Sequence, residues 1–505
     1  MTGMPASATR TSGTLSRMPG GTTRSDFLLH FEVCAIFRRW NPVSPKGNFN
    51  KKQGRDRPMR GAECLLRQAL GLVAKPNTPR RRNEFMKRYC KNVDLTNRDL
   101  VYRAVHDCLY GGNGKNRKPK FGRRDTINMF AEYSGLPKDF LRDIAKRKEY
   151  GYFDGIIDTI VDGMIQEIKD QNYVIKPIWY SEKIDGCSGK TRRIGIQDIK
   201  QQLYDYVAVY ALWEALSKKI GYYQCSAIKD KGQLMGATAV KKWVDNHEMR
   251  WAWKGDVHHF YESIDRDKLK SLLRKCVKNE AVLHLVFFLI DTFEKGLAIG
   301  SYLSQYLANF YLSYAYHFVS EQLFKVRKKR NGTTERVKLV YHVLFYMDDM
   351  LILGKSKKDI MMAARRLEKF LDVELHLELK DEGEIIDMAT GYIDMMGFKI
   401  SRKCVTVRSR IFLRARRTSI EILKAERTGK QISLKKARTM TSRYGWLENS
   451  DTKHFCKRNG IYKAMEIANK IIGGESHAEN EVRHANAGGG NLRPRQWQAG
   501  CCNPC

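Results

Sequence analysis

No apolar run in this chain reaches the roughly 18–20 residues that a bilayer-spanning helix needs, so an integral membrane protein is not expected. No CxxC pair occurs among the nine cysteines of residues 1–460, which argues against a disulfide framework or a zinc ribbon. A reducing compartment, the cytoplasm, is the expectation. Cys501, Cys502 and Cys505 sit in a Gly-rich tail with no partnering His or Cys pair nearby, and read as part of a disordered end. No internal repeat is visible. Acidic residues are scarce: 55 Asp and Glu stand against 91 Lys and Arg, a net charge of +36. Self-repulsion of that size is tolerable where the charge meets a polyanion. Nucleic acid is the first candidate, because Lys and Arg contacts to phosphate supply most non-specific affinity.

What is present divides the 505 residues into five stretches. Residues 1–60, rich in Ser, Thr, Gly and Arg without periodicity, read as a disordered basic N-terminus. Residues 61–173 read as a helical extension. The segment RDTINMFAEYSGLPKDFLRDIAKR has helical apolar spacing broken at Gly135 and Pro137. From 174 to 410, strand-like runs such as TRRIGI and LVYHVLFYMDDMLIL alternate with helical ones, which predicts an α+β domain with an antiparallel sheet. Residues 411–473 are helical and basic, and 474–505 read as a disordered tail.

In VLFYMDDMLIL, Asp348 and Asp349 interrupt an otherwise apolar strand pattern. Burying carboxylates costs several kcal/mol apiece unless a cation offsets them. Apolar strands on both sides predict a tight β-hairpin with the acids at its tip. From these residues alone, a divalent metal and a solvent-exposed turn remain equally open. Asp256, ending the apolar-aromatic run WAWKGD ahead of Phe260 and Tyr261, adds a third carboxylate able to reach the same hairpin. Three carboxylates around two Mg²⁺ ions about 3.5–4 Å apart make a phosphoryl-transfer site.

The ordered motifs over residues 183–450 resemble reverse transcriptases, right-hand polymerases with fingers, a palm built on an antiparallel sheet, and a helical thumb. SGKTRRIGI resembles the fingers strand at the triphosphate, with Lys190 and Arg192 at its basic positions. Asp256 matches the first catalytic aspartate, Val257 the residue whose carbonyl joins the metal shell, and Asp348 and Asp349 the other two carboxylates. Tyr261 matches the aromatic gate that excludes the ribose 2′-hydroxyl, with Phe260 as the alternative gate. GLAIGSYLSQYLANFYL resembles the next palm motif, with Gly300 near the nucleotide. LHLELKDEG supplies Lys380, a candidate proton donor to the pyrophosphate or a plain surface lysine. GYIDMMGFKIS resembles the primer grip, with Gly397 and Phe398 at its turn, and SRYGWLENSD a thumb segment. The resemblance implies Mg²⁺, with Mn²⁺ a substitute, an RNA template, a DNA or RNA primer, and dNTPs.

One departure narrows it. Where most reverse transcriptases read QGxxxSP, this chain reads IGxxxSQ, from Ile299 and Gly300 to Gln305. That pattern resembles diversity-generating retroelement enzymes, which copy with low fidelity and work with a small basic accessory protein. Isoleucine cannot make the hydrogen bonds of glutamine there, so base-pair geometry would be held less tightly. Defence-associated and group II intron-type enzymes are the alternatives within the same chemistry. A non-catalytic, maturase-like RNA-binding protein is the alternative of another class. Outside the site, SRKCVTVRSRIFLRARRTS (401–419) carries seven basic residues and no acid, and VRKKRNGTTERVK (326–338) is either an RNA-contacting insertion or a plain surface loop.

Overall fold

The computed structural model describes residues 88–111, 119–184, 189, 191–228 and 231–487, with side chains described as far as 474. The expected disordered start, Lys190 and the three terminal cysteines lie outside the described residues.

Helical periodicity and local caps build the first layer. Asn97 caps α1 (Arg98–Tyr110) by accepting from the amides of Asp99 and Leu100, and Gly111 ends it at φ 81°. The break expected at Gly135 and Pro137 separates α2 (Arg124–Ser134) from α3 (Lys138–Arg147). α4 (Asp154–Asp170) buries Ile157, Ile160, Val161, Met164 and Ile168 along one face. The antiparallel pair β1 (Trp179–Ile184) and β2 (Thr191–Ile196) follows, then α5 (Ile199–Lys219). The strand begins at Trp179; the preceding NYVIKPI, strand-like in sequence, is irregular.

α5 is buried over most of its circumference, including Leu203, Tyr204, Asp205, Val207, Ala208 and Leu212. It packs on α1 at one side and on later helices at the other, so all of them share one hydrophobic cluster. The Tyr204 hydroxyl donates to Glu167 of α4 at 2.7 Å, and Lys200 pairs with the same carboxylate. The boundary expected at 173 is therefore not a boundary between cores.

After α6 (Gln233–Asp245), β3 (Trp251–Asp256) enters the main sheet. α7 (Phe260–Ser263), α8 (Arg266–Cys276), α9 (Glu280–Asp291) and α10 (Tyr302–His317) follow, then the two-stranded β4 (Phe324–Lys328) and β5 (Thr334–Lys338). Next come β6 (His342–Tyr346), β7 (Asp349–Gly354), α11 (Lys357–Leu375) and β8 (Glu384–Asp387). The main sheet is antiparallel, in the order β6-β7-β3-β8. A three-stranded sheet of β9 (Ile393–Met395), β10 (Phe398–Ile400) and β11 (Val405–Val407) leads into α12 (Ser409–Arg427), α13 (Leu434–Glu448), α14 (Lys453–Arg458) and α15 (Ile461–Ala487). The fold is α+β, as the sequence predicts. The tail boundary expected at 474 falls inside α15, whose backbone stays helical to Ala487.

Strand alternation gives the main sheet two unlike faces. Trp253, Val343, Phe345, Met350 and Ile352 join the large cluster with α5, α10 and α11. Ala252, Leu344, Leu351, Leu353 and Ile386 join a second cluster with α6, the three-stranded sheet and α12–α15. Ile352 is fully buried, so Ile352→Ala should cost about 2–5 kcal/mol by leaving a cavity. Met362→Ala, on the exposed face of α11, should cost at most about 0.5 kcal/mol. Urea unfolding of both variants measures the contrast.

Candidate active site

β3 and β7 pair in a register that sets Asp256 directly opposite Asp349. β6 and β7 form a hairpin in which Tyr346 faces Asp349 and only Met347 and Asp348 make the loop. Met347 holds φ 57°, an uncommon conformation for a side chain of this type, so the loop stores local strain. The hairpin expected around FYMDDMLIL is present, with its acids at the tip.

Directly opposed like charges destabilise a sheet. Burial pushes the Asp348 carboxyl up to about 7, and the Asp256 and Asp349 carboxylates add to the rise. Its own backbone amide and the Arg192 guanidinium oppose it. Burial also raises Asp349; Lys254, whose Nζ lies 3.3 Å from its Oδ1, opposes that rise, Asp256 adds to it, and Arg408 acts against it. Burial raises the Tyr261 hydroxyl, Asp348 raises it further and Arg192 lowers it, so these three side chains share one electrostatic neighbourhood. Among the described residues, no three His, Cys, Asp or Glu side chains are grouped tightly enough to enclose a metal ion.

The other predicted residues divide clearly. The Lys380 amide donates to the Asp256 carbonyl at 2.9 Å and the His258 amide to the Glu378 carbonyl at 2.9 Å. These bonds flank the Val257–Leu379 bridge, so the backbone groups of Val257 point to the opposite edge, toward β7. Lys380 itself is exposed. The Gly195 amide of β2 donates to the Ile299 carbonyl at 2.8 Å. Gly300 sits at φ 115°, where a Cβ would lie 2.6 Å from the Gly195 carbonyl, so only glycine lets this turn meet β2. Gln305 is half-buried on α10, and its carbonyl accepts from the Asn309 side chain at 2.9 Å.

Two expectations need correction. Phe260 is 3% exposed and packs in the large cluster, so it cannot serve as a gate toward a ligand. Tyr261 is only partly buried and remains beside Asp348. Met396 and Gly397 form the β9–β10 turn, both with positive φ, and a Cβ on Gly397 would meet the Trp446 ring at 2.6 Å. The Phe398 side chain is 2% exposed and lies 5.2 Å from that ring, so it supports the turn from inside rather than presenting itself to a ligand.

Sequence reasoning missed three residues. Lys254 and Arg408 are the cations facing Asp349. Asp205, fully buried on α5, accepts from the Ser301 hydroxyl at 2.6 Å and the Leu303 amide at 3.3 Å, and so fixes the start of α10 immediately after Gly300. A lone acid inside the apolar helical run LYDYVAVYAL was the available signal.

No protein-family model matches the chain, and no curated protein matches it.

Burial pushes the Asp205 carboxyl up to about 6, against the hydrogen bonds from Ser301 and Leu303. A carboxyl raised by folding stabilises the fold fully below its ordinary value of 3.8, and that contribution is lost as pH passes the folded value. Asp205→Asn abolishes this titration. The melting temperature of the variant, relative to the parent, should therefore climb between about pH 4 and about pH 7. Thermal melts across that window measure it, and a constant offset would remove the assignment.

Proposed function

We infer that the chain is an RNA-directed DNA polymerase of right-hand architecture, with β3 and β6–β8 as its palm sheet, β1–β2 as the fingers pair and α12–α15 as the thumb. The observation that carries this reading is the register of Asp256 against Asp349, with Asp348 in the adjoining turn and Arg192 and Tyr261 facing it. The burial of Asp348 beside two further carboxylates fits a divalent cation, because burial is the first cause of its raised carboxyl and Asp256 and Asp349 add to it. Asp256, Asp348 and Asp349, with the Val257 carbonyl, would hold Mg²⁺. When bound, the metal would ease deprotonation of the attacking 3′-hydroxyl and stabilise the leaving phosphate oxygen.

The chain's own residues do the rest. Arg192 offers a planar cation to the triphosphate. Tyr261, backed by the buried Phe260, places a ring where a ribose 2′-hydroxyl would sit. The Gly300 turn, held by Asp205 and β2, supports the nucleotide. Ile299 presents no hydrogen-bonding side chain there, which supports a low-fidelity enzyme of the diversity-generating kind.

The second reading is a non-catalytic RNA-binding protein. It is favoured by the Lys254 ammonium on Asp349 and by the lack of a closed three-ligand group among the described residues. Primer extension on an RNA template with Mg²⁺ and dNTPs separates the two. Asp256→Asn and Asp348→Asn should each lower incorporation by about 10²–10³-fold or more while RNA binding persists. No incorporation by the parent, with RNA binding intact, selects the second reading. Tyr261→Ala should relax rejection of ribonucleotides by about 10–100-fold. Ile299→Gln should lower misincorporation, and an unchanged error rate would sink the low-fidelity assignment.

A further inference from the structure

The sequence 326–338, ambiguous between an RNA contact and a plain loop, folds as the hairpin β4–β5. Residues 324–338 carry seven Lys or Arg and one acid, Glu335. The hairpin is tied at its root to α11. Lys325 Nζ binds both carboxylate oxygens of Asp359, at 2.6 and 2.7 Å, and Arg366 donates to the Phe324 carbonyl at 3.2 Å. Those ties set it along one edge of a second basic feature. Lys358, Met361, Met362, Arg365, Arg366 and Lys369 line a shallow open depression on α11. Their spacing, i, i+3, i+4, i+7, i+8 and i+11, is that of one helix face. The opposite row, Ile360, Ala363, Leu367 and Leu371, is the one buried against the rest of the protein. Hairpin and helix stripe are thus neighbouring parts of one cationic surface.

This surface lies across the main sheet from the candidate active site. Asp256 and Asp349 project on the same face as Lys254 and Leu351, whereas α11 packs with Trp253, Met350 and Ile352 on the other. Nucleic acid bound against the carboxylates would therefore meet the opposite side of the sheet. The acids around it are few or engaged. Asp359 is held by Lys325 and Glu335 by Lys329 at 3.2 Å, which leaves Glu368 within the span of the stripe and Asp372 one turn beyond Lys369, against the Lys and Arg side chains of both elements. Phe324, the aromatic ring of the hairpin, lies under the Arg336 guanidinium at 4.5 Å and offers no stacking platform. Cations without free rings suit a phosphate backbone rather than unpaired bases.

We propose that the β4–β5 hairpin and the outer face of α11 form a second nucleic-acid surface that holds base-paired RNA, separate from the template–primer cleft. The stripe spans about 16 Å along the helix axis. The choice of RNA rests on the function proposed above, because the template is the long nucleic acid that reading supplies.

The test uses the full chain, a short template–primer, and the same template–primer extended by an RNA stem of about 16 base pairs, a length one protein face can follow. One variant combines Arg327→Glu, Lys328→Glu and Arg330→Glu; another combines Lys358→Glu, Arg365→Glu and Lys369→Glu. The same positions changed to Gln guard against misfolding by charge reversal, with thermal melts as the check. Each Glu variant should bind the extended substrate about tenfold more weakly, with a shallower dependence of log affinity on log salt by about 2–3. Affinity for the short substrate and single-nucleotide incorporation should stay within about twofold. Unchanged binding of the extended substrate overturns the proposal. Equal loss on both substrates also overturns it, since that indicates diffuse charge. A DNA stem bound as tightly as the RNA stem overturns the choice of RNA, and displacement of the RNA stem by poly-glutamate at matched charge assigns the face to an acidic protein instead. Failure of the polymerase reading appears separately, as absent incorporation by the parent.

Discussion

Two carboxylates face one another across an antiparallel ladder, at the point where β3 ends and β7 begins. Left alone, such a pair pushes its strands apart. It persists because the remaining residues of both strands are clamped from two sides by separate hydrophobic clusters. Trp253 and Ile352 anchor one face, Ala252 and Leu351 the other, and Lys254 brings a single ammonium to Asp349. The packing energy of the sheet is what holds the electrostatic tension in place. Several features gather at the same spot: the strained Met347 in the loop, the buried and raised carboxyl of Asp348, and the Arg192 and Tyr261 side chains beside it.

Much of this was legible because it follows from local pattern. Two acids between apolar runs can hardly be anything but a hairpin tip, and Gly135 with Pro137 can hardly lie inside a helix. Asp256 was readable as the end of a strand for the same reason. What stayed hidden depended on contacts between residues far apart in sequence. Phe260 and Tyr261 are neighbours of similar chemistry, and nothing local says that one faces the core and the other Asp348. Asp205 lies ninety-six positions from Ser301, so its place behind the Gly300 turn could not be seen from either segment. The hairpin at 324–338 carried its charge openly, but its union with α11 through Lys325 and Asp359 appears only in three dimensions.

The boundaries were the least legible part, for two different physical reasons. Composition changes near residue 173, yet hydrophobic burial ignores composition. α5 needs cover on all sides, and α1 supplies it as directly as α10 does, with α2 beside it and α4 packed behind α1. At 474 the reason is different: Gly473 and Gly474 lower helix propensity without abolishing it, and the helical backbone runs through both.

The shared core around α5 has a consequence for how such a chain can change over generations. A segment with its own core can be lost, duplicated or traded as a cassette, because its departure exposes nothing elsewhere. The helices before residue 173 have no such independence. Their removal would uncover the part of α5 that α1 and α2 pack on, and a new cover would have to arise in the same step. Their outer surface, by contrast, is unconstrained by that partnership. Inheritance should therefore preserve the inward rows of α1 and α4 together with α5, and let the solvent-facing residues of those helices drift.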